Sequence, residues 1–149
     1  SLHDALPISS LLVELYGRSR NEGFMTENKR RIMIGSFVLS SGFFDAYYMQ
    51  AQKARTLLIN EFKKLFTEYD ALLMPTAPTP AFKLGENTND PIKMYLADIM
   101  TVPASLAGLP AISVPAGSND EGLPIGVQLI GDYQSDGNLL KLAAEVEAA

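Results

Sequence analysis

Gly108-Leu109-Pro110-Ala111-Ile112-Ser113-Val114-Pro115 and, a few residues on, Gly122-Leu123-Pro124-Ile125-Gly126-Val127-Gln128-Leu129-Ile130 form the stretch whose reading decides the fold. In the second segment Ile125, Val127 and Leu129 alternate with Gly126 and Gln128, the period of two that marks a strand. Between the segments, Gly117-Ser118-Asn119-Asp120-Glu121-Gly122 consists of turn formers, so the two strands are predicted to be antiparallel neighbours. Upstream, Tyr69 to Met74 reads as a short buried strand. It leaves the sheet at Pro75-Thr76-Ala77-Pro78-Thr79-Pro80, since proline has no N–H to give a central ladder.

Helical patterns flank these strands. Leu11, Leu12, Leu15 and Tyr16 recur at helical spacing until Asn21-Glu22-Gly23, which is predicted to break the helix. Thr26 is placed to cap the next helix, with Glu27 favouring the dipole of its first turn. Ile32, Met33, Ile34, Phe37, Val38 and Leu39 make that helix apolar on most sides, the pattern of a helix packed inside, and Gly42 ends it. A long helix then runs from about Phe43 to Thr67. Asp90-Pro91 opens another, because aspartate caps and proline suits the first helical position; Thr101-Val102-Pro103 restarts it after a bend. Asp136-Gly137-Asn138 opens an amphipathic segment with Leu139, Leu142, Ala143 and Val146. The fold class is α/β, with helices packed on a mixed β-sheet.

A length of 149 residues fits one domain, and 47% hydrophobic with 19% charged residues is globular rather than disordered. No apolar run reaches the roughly 20 residues of a membrane span. With no cysteine and His3 as the lone histidine, thiol chemistry is excluded and a histidine-based site would need that one terminal residue. A net charge of −5 argues against a free-standing nucleic-acid binder. No glycine pattern of a nucleotide-binding loop opens a helix, and the acidic residues are too scattered for a metal set.

Three places carry possible chemistry. Ser40-Ser41-Gly42 pairs serines with a glycine, but no base is selected by spacing, and the segment reads as a helix ending whose hydroxyls satisfy free carbonyls. Arg31 shares a helix face with Ile34, Gly35 and Val38. An inward guanidinium there fits a carboxylate bidentately; the alternative is an i,i+4 pair with Glu27. Asp98 stands among Tyr95, Leu96, Ile99 and Met100, so its carboxylate needs a partner: either the ammonium of a ligand or a backbone amide at the Thr101-Val102 bend.

Taken together, Arg18-Ser19-Arg20-Asn21-Glu22-Gly23-Phe24, Lys29 to Gly35, Phe37 to Gly42, Met94-Tyr95-Leu96-Ala97-Asp98-Ile99, Ala107 to Pro115 and Gly122 to Gly131 resemble the amidase signature family. The likeness runs from about Leu11 to Glu147 and is closest to the C-terminal part of the glutaminase subunits of tRNA-dependent amidotransferases. It implies an amidase signature fold that is incomplete in this chain. Residues 10–149 would be the C-terminal part of a single amidase domain whose catalytic N-terminal part is missing. Residues 1–9 match nothing in the family and read as a non-native leader or assembly scar.

The resemblance also implies a function. The whole subunit releases ammonia from glutamine, using a lysine and two serines that this chain lacks. The chain therefore has no catalytic residue, and alone it is expected to be inactive. The partners are subunits B and C; one of them uses ATP and Mg to convert Glu-tRNA(Gln) to Gln-tRNA(Gln), while this chain holds no cofactor. Location is expected in the cytoplasm, with no membrane partner. The family's substrate pocket uses an arginine for the substrate carboxylate and an aspartate for its amine. These fall on Arg31 and Asp98, with Arg30 as the other register for the first. The competing readings are another amidase signature hydrolase and a non-catalytic interaction module built on the same piece. A piece cut from a larger sheet is expected to expose apolar surface and an open strand edge.

Overall fold

The computed structural model describes residues 12–87 and 90–148, and the chain divides after Gln52 into two units. The expected leader, residues 1–9, lies outside the described residues.

In the first unit, α1 (Leu12–Gly23) and α2 (Thr26–Val38) are separated by two residues. The predicted break at Asn21-Glu22-Gly23 is corrected, because α1 continues through it. Arg18 pairs with Glu22 at 3.4 Å, and the Lys29 ammonium donates to the Asn21 carbonyl at 2.7 Å, so the last turn has partners for its free groups. Thr26 does not cap α2. Met25 holds the cap position in an extended conformation with no side-chain bond, and Glu27 lies in the first turn as expected. Nor is α2 packed inside: it has no buried residue, and Met33 is 73% exposed. Its apolar residues find no cover among the described ones. Beyond the Ser40–Phe43 turn, a π-helical segment, Phe44–Met49, leads directly into α3 (Gln50–Leu65), so the long predicted helix is present with a wider opening turn.

The second unit is built around β3. Strands β1 (Ala71–Pro75), β2 (Ala111–Ser118) and β3 (Pro124–Gly131) form a 3-stranded sheet in the order β1-β3-β2. Leu73 faces Leu129 and Val114 faces Val127, in antiparallel register on both sides. The expected mixed sheet is corrected: among the described strands all pairing is antiparallel. β3 folds back on β2 through a short turn and gives its other edge to β1, which runs in the same sense as β2. In that turn the Asn119 carboxamide oxygen accepts from the amides of Glu121 and Leu123, and Gly122 adopts φ +77°, a conformation that favours glycine.

One face of this sheet is covered by α6 (Asp136–Ala148), whose Leu139 and Ala143 pack with Val114 and Leu129. Burying each large aliphatic side chain stabilises by roughly 1.5–3 kcal/mol, so this cluster is the main apolar support of the unit. The helix approaches closely at Gly131, where an added Cβ would lie 2.5 Å from the Ser135 hydroxyl.

Two short helices cross toward the sheet. At the start of α4 (Pro91–Ala97) the Asp90 carboxylate accepts from the amides of Ile92 and Lys93 at 3.1 and 3.0 Å, as the Asp-Pro pair predicts. A bend at Asp98–Thr101 leads into α5 (Val102–Ala107), closed by Gly108 at φ +72°. Arg55 of α3 donates to the Leu106 carbonyl at 2.6 Å, fastening α3 to the end of α5. The expected apolar surface and open edges are both present: Leu57, Leu73 and Ile92 are exposed, and β1 and β2 are the outer strands of the described sheet.

Candidate functional site

Arg31 projects from the second turn of α2 with 64% of its side chain exposed. Its Nε donates to the Glu27 carboxylate at 2.9 Å, and Arg30 reaches the same carboxylate at 3.2 Å. Of the two sequence readings, the i,i+4 pair is the one formed. The inward placement is corrected for the described residues, because Ile34 on the same face is itself half exposed and forms no interior for a guanidinium to enter. An exposed pair of this kind contributes only about 0.2–0.5 kcal/mol, so it is easily exchanged for another carboxylate.

Asp98 ends α4 with φ −97° and ψ 2° and is exposed. The expectation that apolar neighbours desolvate its carboxylate is corrected, since Tyr95, Leu96 and Ile99 turn outward and are themselves exposed. The bend is held instead by the Asp98 backbone carbonyl. It accepts from the amides of Thr101 and Val102 at 3.1 and 3.2 Å and from the Thr101 hydroxyl at 3.1 Å. The carboxylate is left facing outward from a well-fastened turn. Arg31 belongs to the first unit and Asp98 to the second. Ser40 acts as its sequence suggests, its hydroxyl donating to the Phe37 carbonyl at 2.7 Å near the end of α2.

Two polar features beneath the bend carry no sequence assignment. Gln128 is 2% exposed, and its carboxamide donates to the carbonyls of Met100 at 2.7 Å and Pro75 at 3.3 Å. It thereby ties the α4–α5 bend and the end of β1 to the central strand. Beside it, the hydroxyls of Thr76 and Ser113 lie 2.6 Å apart across β3, directly over Gly126. An amide among aliphatic residues in a strand is the signal for Gln128. The strand alternation alone assigns it to a polar outer face. Next to these residues the extended Pro75–Ala81 segment and Pro124–Gly126 border an open groove of about 420 Å³. Among the described residues no three His, Cys, Asp or Glu side chains converge as metal ligands, and no helix is long and apolar enough to cross a membrane.

Comparison with known proteins supplies the family. The sequence profile of the family described as Amidase matches residues 5–140. The chain belongs to the amidase family. Among its relatives, the A subunit of the glutamyl-tRNA(Gln) amidotransferase of Oceanobacillus iheyensis is 53% identical over 138 residues, covering 93% of this chain and 28% of that protein. The protein of the same name from Nitrosococcus oceani is 58% identical over 132 residues, 89% of this chain and 27% of its own length. This amidase chain therefore spans little more than a quarter of the curated relatives it matches.

Solved structures agree on the fold. The crystal structure of the A subunit of the glutamyl-tRNA(Gln) amidotransferase from Thermotoga maritima superposes with a TM-score of 0.65 at 48% identity, covering 88% of this chain and 28% of that one. A second structure, described as an amidase, gives 0.67 at 27% identity, covering 91% of this chain and 32% of that one. Backbone similarity is thus nearly equal in the two cases. Identity is what separates them.

Proposed function

We propose that this amidase chain is the C-terminal part of the glutamine-hydrolysing subunit of a glutamyl-tRNA(Gln) amidotransferase. In this reading Arg31 binds the substrate's α-carboxylate and Asp98 its α-ammonium. The supporting observation is the gap in identity: 53% and 58% to subunits of such an amidotransferase, against 27% for a structural neighbour described only as an amidase. The two side chains suit the task chemically. A guanidinium presents paired donors to a carboxylate, and Arg31 gives up only a weak exposed bond to Glu27 in doing so. The Asp98 carboxylate stands on a turn whose backbone bonds fix its direction. The lysine and serines that attack the amide belong to the part of the protein outside these residues. Ammonia released there passes to partner subunits B and C, where ATP and Mg serve the amidation of Glu-tRNA(Gln). This chain's share of the chemistry is to hold and orient glutamine.

The test is made in the complete protein with its partner subunits. Arg31→Ala is expected to raise KM for glutamine about ten- to a hundredfold with a smaller change in kcat, the effect of losing a charged hydrogen bond of roughly 1.5–3 kcal/mol. An unchanged KM would remove Arg31 from the site. Faster turnover of other amides than of glutamine would overturn the substrate assignment and favour another amidase hydrolase.

A further inference from the structure

We propose that Gln128 is a positioning residue for the substrate amine: its buried carboxamide holds the α4–α5 bend from which Asp98 projects. The proposal rests on the reading of Asp98 given above. Gln128 lies on the central strand, opposite Met74 on β1 and Ser113 on β2, so its backbone is fixed from both sides. Its side chain is 2% exposed and donates at 2.7 Å to the carbonyl of Met100, two residues beyond Asp98. The second donation, to Pro75 at 3.3 Å, keeps the amide from rotating away.

The bend has few other anchors to the sheet. Its internal bonds, from Thr101 and Val102 to the Asp98 carbonyl, fix its shape but not its position. Helices α4 and α5 are short, with only Ala104 buried between them. The Gln128–Met100 bond is therefore the polar link that sets where the Asp98 carboxylate stands relative to the sheet. Removing the donor leaves two carbonyls without this partner and frees the bend to shift. A displacement on the order of 1 Å at a substrate-orienting group costs up to about a hundredfold in rate.

A substrate pair separates this role from general structural support. Glutamine carries the α-ammonium that Asp98 would hold; 4-carbamoylbutanoate has the same amide and carboxylate without the amine. In the complete protein with its partner subunits, kcat/KM is measured for both substrates in wild type, Asp98→Asn, Gln128→Met and Gln128→Asn. Methionine keeps the length and removes the donor. Asparagine keeps a carboxamide one methylene short of Met100, so it remains useful if the methionine variant fails to fold. The proposal expects either Gln128 variant to lose about ten- to a hundredfold on glutamine and less than about twofold on the deaminated analogue, in the pattern of Asp98→Asn. Equal losses on the two substrates, or no loss on glutamine, overturn the Gln128 proposal while Asp98→Asn remains selective. If Asp98→Asn is itself unselective, the reading of Asp98 fails, and the proposal with it.

Discussion

Gly126→Ala would place a methyl group under the hydroxyl pair that spans β3. Built on the existing backbone, the new Cβ lies 2.9 Å from the Ser113 hydroxyl and 3.1 Å from that of Thr76, with the Thr76 Cβ at 3.6 Å. The first distance is too short to persist, so Ser113 must rotate or β2 must shift. Rotation breaks the 2.6 Å bond to Thr76, which at this exposed site is worth about 0.5–1.5 kcal/mol. Residual crowding adds roughly 1 kcal/mol, the lower end of overpacking costs, because a serine rotor yields more readily than backbone. Gly126 does not have positive φ, so alanine also restricts the unfolded chain and returns about 0.4–1 kcal/mol. The net expectation is a loss of about 1–2 kcal/mol, read as a lower urea midpoint at unchanged slope. The decisive arm is Ser113→Ala in the same background. With the hydroxyl gone the methyl has room, so the double variant is expected to be no less stable than Ser113→Ala alone. Costs that simply add, or a neutral Gly126→Ala, would refute the packing argument.

Other expectations use the same urea assay. Asp90→Ala removes both bonds that cap α4 and should cost about 1 kcal/mol, with Asp90→Asn keeping most of it. Leu129→Ala opens a cavity where β3 meets Val114, Leu139 and Ala143, and a loss of about 2–5 kcal/mol is expected. Gly108→Ala forces a side chain to φ +72° at the end of α5, for about 1–2 kcal/mol. A neutral result at any of these positions would contradict the contact assigned there.

Local signals in the sequence are legible because the forces behind them are local. Asp90-Pro91 states its cap within two residues, and the Gly117–Gly122 turn fixes the antiparallel pairing of β2 with β3. The amphipathic stripe of α6 specifies which residues enter the core. What escapes depends on partners distant in the chain. Whether the sheet is mixed depends on β1 finding the far edge of β3, more than fifty positions along the chain, and no pattern within β1 encodes that choice. Gln128 reads as one of the polar members of an alternating strand. It is buried because β3 is central, so both faces of its second half are covered. Near the N-terminus, Glu22 and Gly23 have the composition of a breaker, yet Arg18 and Lys29 supply partners that let α1 run on. For the candidate site, spacing identifies the Arg31–Glu27 pair correctly. It implies a desolvated Asp98 only if apolar neighbours in sequence are neighbours inside, and here they face outward. The pairing of Arg31 and Asp98 as one substrate pocket comes from the family resemblance, not from spacing.

Ammonia release from glutamine is the most direct test of the central claim. It is measured for the complete protein that carries this segment, together with its partner subunits, Glu-tRNA(Gln), ATP and Mg, and for residues 1–149 alone. The account predicts glutamine-dependent ammonia and Gln-tRNA(Gln) from the first mixture and no hydrolysis from the second. Glutamine turnover by residues 1–149 alone, or a complete protein that cleaves other amides but leaves glutamine intact, would contradict it.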